Sequence, residues 1–489
     1  MSKRIPSFAR ARFAALRYAR IGGATVIGLI AGLLLIAPSP AAAETEQVTL
    51  RYGPVQLSPY EVERQDEVYD MPEPGVNGFI TEMDAELVDA DGSAIPIQRT
   101  MLHHVVFFNT GSRLGERHDA TCDSFTLFDS ESVIPALGER FYGLGEERAK
   151  LALPPGHGYP IRADDSWAMT YMLMNHRNVP DSVYIQYRMT IETDPGLQPV
   201  KPLWLDVRNC SQDPIFDVPG GGKPGSTYTT SATWTAPEAG RLVFGQGHVH
   251  GGALDVQLSQ PACGDRTLFS SKPLWGKPSH PYYRVRPLLH EPGPISMSAF
   301  QSGEGIPIAA GQELEITTTY DNRLPHTRVM GIIVAAFAPD PSVTAECPPL
   351  PGDIQTYWSE SEGRTKAPRI RLPINGYGSS GYKSGPARAI RRPRGRTVEL
   401  GSGGTIDVAN FSFGPANVSI QDGGSLNWRF DGETLHNVTL ANGPQGFSSP
   451  NLSRNREFSY GFEEPGTYRL FCALHPVGMT STVKVRGKR

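Results

Sequence analysis

From Glu44 onward, apolar and polar residues alternate in short runs: VTLRYG, HHVVFFN and VYIQYRMTI before Cys210, then RLVFGQGHVHGGALDVQL, ELEITTTY and RVMGIIVAAF before Cys347. Successive side chains on a strand point to opposite faces, so a period of two rich in β-branched and aromatic residues marks half-buried strands. Long stretches with a helical period are nearly absent. Two jelly-roll-like β-sandwiches are therefore expected over 44–210 and 211–347. Beyond them GTIDVANFSF, SLNWRF, HNVTLAN, GTYRLFCAL and STVKV are evenly spaced short strands, the pattern of a small Greek-key barrel over 398–489. The fold class expected is all-β, and 52 Gly and 43 Pro supply its many turns.

The segments between these blocks lose the pattern. DVPGGGKPGS reads as a connector, and 348–397, which carries PARAIRRPRGR, reads as a linker. Residues 1–43 run from basic (Lys3, Arg4, Arg10, Arg12, Arg17, Arg20) through IGGATVIGLIAGLLLIA to PSPAAAE, the order of a secretory signal peptide cleaved after Ala43. Left uncleaved, the same run approaches the length of a membrane anchor. Either way the expected location is secreted, periplasmic or otherwise extracytoplasmic. Net charge is −4 with bases and acids interspersed, which excludes a broad nucleic-acid-binding surface. Five cysteines in an oxidising compartment leave one over after pairing. Cys472 has ligand-like neighbours, so Cys122, Cys210, Cys263 and Cys347 are the disulfide candidates, with three pairings open. A division near residue 210 would favour Cys122–Cys210 and Cys263–Cys347, one staple in each half.

The candidate chemistry begins near the C-terminus. FCALHPVGM sets Cys472, His475 and Met479 in one loop, and DGETLHNVTL offers His436 upstream. Two imidazoles and a thiolate in a trigonal set, with a weak axial thioether, let copper change oxidation state with little rearrangement. Over roughly 398–486 the chain resembles the cupredoxins, the blue type 1 copper family related to plastocyanin and amicyanin. The resemblance implies that His436, Cys472, His475 and Met479 ligate copper and transfer electrons. A site without an open position does not bind substrate, so a partner for those electrons is expected elsewhere in the chain.

Further histidines supply one. His248 and His250 alternate in GQGHVHGG and so share a face; YDNRLPHTRVMGIIV brings Met330, whose soft thioether suits Cu(I). TMLHHVVFFN holds adjacent His103 and His104, and MTYMLMNHRNVPD adds His176. Adjacent residues on a regular strand face opposite ways, so that pair can share a metal only if the backbone distorts or different ring nitrogens are used. The order of an HH pair, a lone His, an HxH and a Met over roughly 50–345 resembles the copper type II, ascorbate-dependent monooxygenases, the family of peptidylglycine α-hydroxylating and dopamine β-monooxygenases. The resemblance implies an electron-storing copper on His103, His104 and His176. It implies a catalytic, oxygen-binding copper on His248, His250 and Met330, with a solvent-filled cleft between the two. His118, His157, His280, His290 and His326 are left as structural residues.

Where the amidating branch of that family grips a peptide carboxylate, this chain has Gln246, Ile332 and Val334. A carboxylate buried without a cation is costly, so a small neutral or apolar substrate is expected. The implied partners are O2, that substrate, and an external reductant such as ascorbate or a redox protein. The barrel would relay electrons at roughly millimolar effective concentration because it is covalently attached. The competing expectations are a non-catalytic copper-binding or electron-transfer protein, a multicopper oxidase, which would need more than the lone HVH motif, and an adhesion module with incidental histidines.

Overall fold

The computed structural model describes residues 44–97, 99–127, 132–275, 290, 293–359, 393–409 and 411–487. The expected signal peptide, His280 and the basic stretch of the linker up to residue 392 lie outside the described residues. Among those described, the regular elements are all strands apart from one 3₁₀ turn at Pro261–Cys263.

In the first sandwich, Thr45–Leu57, Asp181–Glu192, Gly78–Val88 and His157–Ile161 lie side by side, and Val62–Val68, Ser166–Asn175, Thr100–Gly111 and Glu139–Gly145 form the facing sheet. Leu87, Leu102, Val105, Phe107, Trp167 and Tyr187 fill the space between them. The second sandwich sets Lys201–Asp206, Gly331–Pro339, Gly240–Val249 and Ser296–Ile308 against Thr227–Thr235, Glu313–Asp321, Ala253–Gln260 and Arg266–Ser271. Its strand Lys201–Asp206 pairs with Gly331–Pro339, so the boundary falls before Lys201 and not at residue 210. Sheet hydrogen bonds, invisible to a pattern of alternation, decide this. Both disulfides form as Cys122–Cys210 and Cys263–Cys347. Because Cys210 follows the first strand of the second sandwich, the former joins the two halves instead of stapling one.

Val243, Phe244, Ala299, Ala336 and Ala338 of the second sandwich belong to the same buried cluster as the first sandwich's core, so the halves share a packed apolar face. Their approach is close enough to dictate glycine. A Cβ on Gly143 would stand 2.6 Å from the Trp204 ring, and one on Gly145 2.4 Å from His248 Cε1.

In the C-terminal barrel, Asn417–Gln421, Thr480–Arg486, Gly466–Phe471 and Thr439–Asn442 face Gly403–Ala409, Ser425–Phe430 and Arg456–Gly461. Trp428, Phe430, Phe462, Tyr468 and Leu470 are buried between them. The linker expected over 348–397 is partly structural, since Gln355–Ser359 adds to the edge of the second sandwich beside Ser296–Ile308. Nor does the barrel hang free. Gly446 N donates to Pro219 O (2.8 Å), Thr327 Oγ1 to Leu440 O (3.0 Å) and Ser448 Oγ to Asp217 (2.9 Å), docking it on the second sandwich.

Candidate metal centres

Two strand ends build the barrel site. His436 leads toward Thr439–Asn442, and the loop from Cys472 to Met479 joins Gly466–Phe471 to Thr480–Arg486. His475 N donates to Cys472 O (3.0 Å), Met479 N to His475 O (3.1 Å) and Cys472 N to Met479 O (3.0 Å). These turns fold the loop so that Cys472 and His475 converge with His436, while Met479 is buried in the same core cluster as Cys472. His436 Nδ1 and His475 Nδ1 lie 3.1 Å apart, and Cys472 Sγ is 3.9 Å and 3.5 Å from them. Two nitrogens about 2.0 Å from one ion at a right to tetrahedral angle are roughly 2.9–3.4 Å apart, so the spacing fits a shared metal. Cys472 is a free, fully buried thiol, and Met479 is equally buried beside it. Burial holds His475 down at about 4, with His436 adding to the effect, and lowers His436 as well; both are neutral, ligand-ready imidazoles. Asn437 N donates to Cys472 Sγ (3.4 Å), an interaction that tunes a thiolate ligand. Asn437 heads the NVT sequon, but its side chain is buried and donates to Asn451 Oδ1 (2.8 Å), so it is no glycan acceptor in this fold. Phe411, 54 % exposed, covers both imidazoles edge-on.

In the sandwiches, the backbone distortion that the HH pair requires is present. Register along Thr100–Gly111 passes from His104 opposite Met172 to Leu102 opposite Leu173, so His103 is an extra residue in a β-bulge. The bulge turns both rings to one side and sets their Nδ1 atoms 3.1 Å apart. His248 is the penultimate residue of the strand Gly240–Val249 and His250 follows it, with their Nε2 atoms 3.3 Å apart. Met330 sits one step beyond the pairing of Val249 with Gly331. Tyr320 Oη accepts from His250 N (3.0 Å) and donates to Met330 O (2.6 Å), tying the two backbones together. His176 Nδ1 donates to Ile97 O (2.8 Å), which leaves Nε2 as its metal-facing nitrogen; burial, aided by His290, holds its pKa at about 4.

Two expectations change here. The two histidine sets are not separated by an open cleft: the His103 and His250 rings are 5.2 Å apart, brought together where the sandwiches pack. His290, set aside as structural, lies 4.3 Å from the His103 ring and 5.0 Å from that of His250. Its neighbours in sequence carry no ligand pattern, and only the meeting of the halves gives it partners. His176 stands outside this trio, and His326 packs instead beneath Gly252. Glu146 and Glu147 were also not singled out by sequence. Glu147 lies 3.1 Å from His248 Nδ1, and Glu146 lies 3.3 Å from His290 Nδ1. A carboxylate behind an imidazole fixes its tautomer and orientation for a metal on the other nitrogen.

His104, His248 and Met330 open onto a cavity of about 400 Å3. Val106, Phe108, Trp204, Ile332 and Val334 line it with apolar surface, and Gln246 contributes an amide. Its cations are already engaged. Arg140 pairs with Asp119 (2.5 Å) and lies over Trp204, while Arg64 pairs with Asp213 (3.4 Å).

Residues 402–486 match the copper-binding proteins of the plastocyanin/azurin family. A 74-residue stretch is 32 % identical to amicyanin-alpha of Methylorubrum extorquens, covering 14 % of this chain and 62 % of that protein's length. Among solved structures, a purple cupredoxin from Nitrosopumilus maritimus is 28 % identical over 17 % of this chain and 98 % of its own, with a TM-score of 0.16. A reduced amicyanin variant is 26 % identical over 17 % of this chain and 80 % of its own, also at 0.16. The C-terminal barrel is a cupredoxin domain, a copper-binding electron-transfer module.

Proposed function

We propose that the chain is a copper-dependent monooxygenase with a built-in electron donor, hydroxylating a C–H bond of a small neutral or apolar substrate. The balance is one substrate C–H, one O2, two electrons and two protons giving one C–OH and one water. Electrons come from an external one-electron reductant, ascorbate or a redox protein, and pass through the cupredoxin site. Copper, when bound, supplies the one-electron redox chemistry. The protein's own groups orient it: Glu147 holds His248, Tyr320 fixes His250 and Met330, and the bulge at His103 aims the HH pair.

The observation that carries this reading is the seat of the copper loop. Val477, between His475 and Met479, packs against Val62, Met101 and Met174 of the first sandwich. Met101 and Met174 are cross-strand partners at the ends of the strands that lead to His103 and His176. The domain's redox centre is thereby held beside the strand ends that bear the proposed electron-storing ligands, not at the end of a mobile arm. A second link runs through polar groups. Arg328, two residues before Met330, reaches Asn451 Oδ1 (3.3 Å), which accepts from Asn437 Nδ2, whose own backbone N donates to Cys472 Sγ.

The cavity supports the substrate class. An anionic substrate would lose its hydration there and meet only arginines that Asp119 and Asp213 already neutralise. Ile332 and Val334 instead offer apolar surface.

Replacing Cys472 by Ser should abolish the blue absorption and slow turnover with a protein donor by about tenfold or more, because the donor loses its covalent advantage. Turnover unchanged in that variant would refute the relay. Bound copper with no O2 uptake against any neutral substrate would instead favour a non-catalytic copper or electron-transfer protein.

A further inference from the structure

We infer that His103, His250 and His290 form a metal site of their own, closed only where the two sandwiches meet, and that the ion it takes is copper. The inference rests on the proposed oxygenase reading for the identity of the metal, but the site itself stands on geometry.

Ligating nitrogens of the three residues all lie within 4.8 Å of one another. The rings are separated by 4.3, 5.0 and 5.2 Å and meet at interplanar angles of 88°, 77° and 78°. Lone pairs of ring nitrogens lie in the ring plane, so converging on one ion requires edges that meet, not stacked faces. His103 and His250 each already set one nitrogen toward an expected partner, His104 or His248. The remaining nitrogens, His103 Nε2 and His250 Nδ1, are buried with no hydrogen-bond partner. A buried polar atom left unmatched in a cluster of imidazoles calls for an occupant.

The placement of His290 argues against incidental packing. It precedes the strand Ser296–Ile308, and Glu146 of the first sandwich holds the segment: Oε1 lies 3.3 Å from His290 Nδ1, and Oε2 accepts from Gly293 N (2.6 Å). The neighbouring Glu147 does the same for His248. Adjacent carboxylates of one turn thus face two imidazoles of the other sandwich, Glu147 in hydrogen bond to His248 and Glu146 at ion-pair distance from His290. With the partner sites filled as well, His103 and His250 would bridge two ions as imidazolates, each giving up its ring proton to solvent on binding; such nitrogens suit copper and zinc alike, and the thioether of Met330 on the wall of the cavity that His248 also lines favours copper.

The test uses the full chain, equilibrated with copper at fixed free concentrations, with metal counted by elemental analysis and blue and non-blue copper separated by electron paramagnetic resonance. His290→Ala and His290→Gln should each lose one non-blue copper, or bind it about tenfold or more weakly, with altered nitrogen hyperfine structure. Blue copper should stay intact in both, which shows that the barrel folds, and an unchanged denaturation midpoint and circular dichroism spectrum show that the sandwiches do. His118→Ala, an exposed histidine outside the cluster, should match the unaltered protein. Glu146→Gln should weaken non-blue binding less than loss of the ring. Unchanged stoichiometry, affinity and spectrum in both His290 variants would overturn this site and leave the oxygenase reading standing. Preferential uptake of zinc at equal exposure would overturn the copper assignment. His290-dependent copper in a protein without oxygenase activity would support the site and defeat the oxygenase reading alone.

Discussion

The barrel and the paired sandwiches both gather imidazoles and sulfur, yet they do so by opposite means. In the barrel, three of four donors lie within eight residues, and backbone turns inside one loop set their spacing. In the sandwiches the donors come from positions 103 to 330, and His103, His250 and His290 meet only because the two halves press together. A site built within one loop inherits its geometry from local hydrogen bonds. A site built across an interface inherits it from the packing of that interface, and should fail with it.

Disconnecting the halves is the severest way to test this. Cys122–Cys210 closes an 88-residue separation and joins the sandwiches at their junction. Replacing both cysteines by Ser should cost about 2–5 kcal/mol, measured by denaturant titration. Non-blue copper affinity should fall with it, while blue copper remains. The same change at Cys263–Cys347, which lies within the second half, should destabilise comparably but spare the non-blue copper more. Equal losses of both copper classes in the two variants would erase the contrast.

The same contrast explains what could be read from the chain. Alternation gave the strands and the all-β class, because burial on one face of a sheet imposes a period of two at every strand. The spacing of Cys472, His475 and Met479 gave the barrel site because loop geometry is local. The need for a distorted backbone at His103 and His104 was legible too, since two neighbours cannot otherwise face one way; the bulge is the answer. His290 was not legible, because nothing near it in sequence carries a ligand pattern. Nor was the strand Lys201–Asp206, whose membership is settled by its hydrogen-bond partner. Glu146 and Glu147 carry no ligand pattern in sequence, yet both are buried, facing His290 and His248 of the opposite sandwich.

Removing one carboxylate should have a smaller effect than opening the interface. Burial alone would push Glu147 up and His248 down, but their attraction outweighs it, so the carboxyl sits below its ordinary range and the imidazole above. The His248 contribution to metal-free stability is full below the ordinary imidazole pKa of about 6.5 and is lost as pH rises through the raised value. That of Glu147 is present above about 4.3 and is lost as pH falls through the lowered value. Copper needs the neutral ring, so it must displace a proton, and affinity should climb with pH until His248 has titrated. In Glu147→Gln the climb should finish at lower pH, to a plateau about 10–100-fold weaker. A copper-binding profile that keeps its midpoint would show that this pair does not govern the site.

The finest test addresses Arg328, a residue of the second sandwich that reaches into the barrel. Arg328 adopts a left-handed backbone (φ 55°), its N–H donating to Asp217 Oδ1 (2.9 Å). Its guanidinium donates to Ser449 O (3.0 Å) and reaches Asn451 Oδ1 and Asp213 Oδ2. Burial lowers its pKa while Asp213 and Asp217 oppose that, and its charge acts on Cys472, drawing the thiol down against the upward push of burial. A cation near the thiolate disfavours the more positive, oxidised copper, so Arg328→Gln should lower the reduction potential of the blue site. About 1 kcal/mol of lost charge interaction corresponds to roughly 40 mV for one electron. Arg328→Lys keeps the charge but not the planar fork, so it should hold most of the potential while loosening the bond to Asn451. If the potential is the same in all three proteins, the barrel site is electrostatically independent of the sandwiches. Their coupling would then rest on Val477 with its methionine neighbours and on the docking hydrogen bonds of Gly446, Thr327 and Ser448.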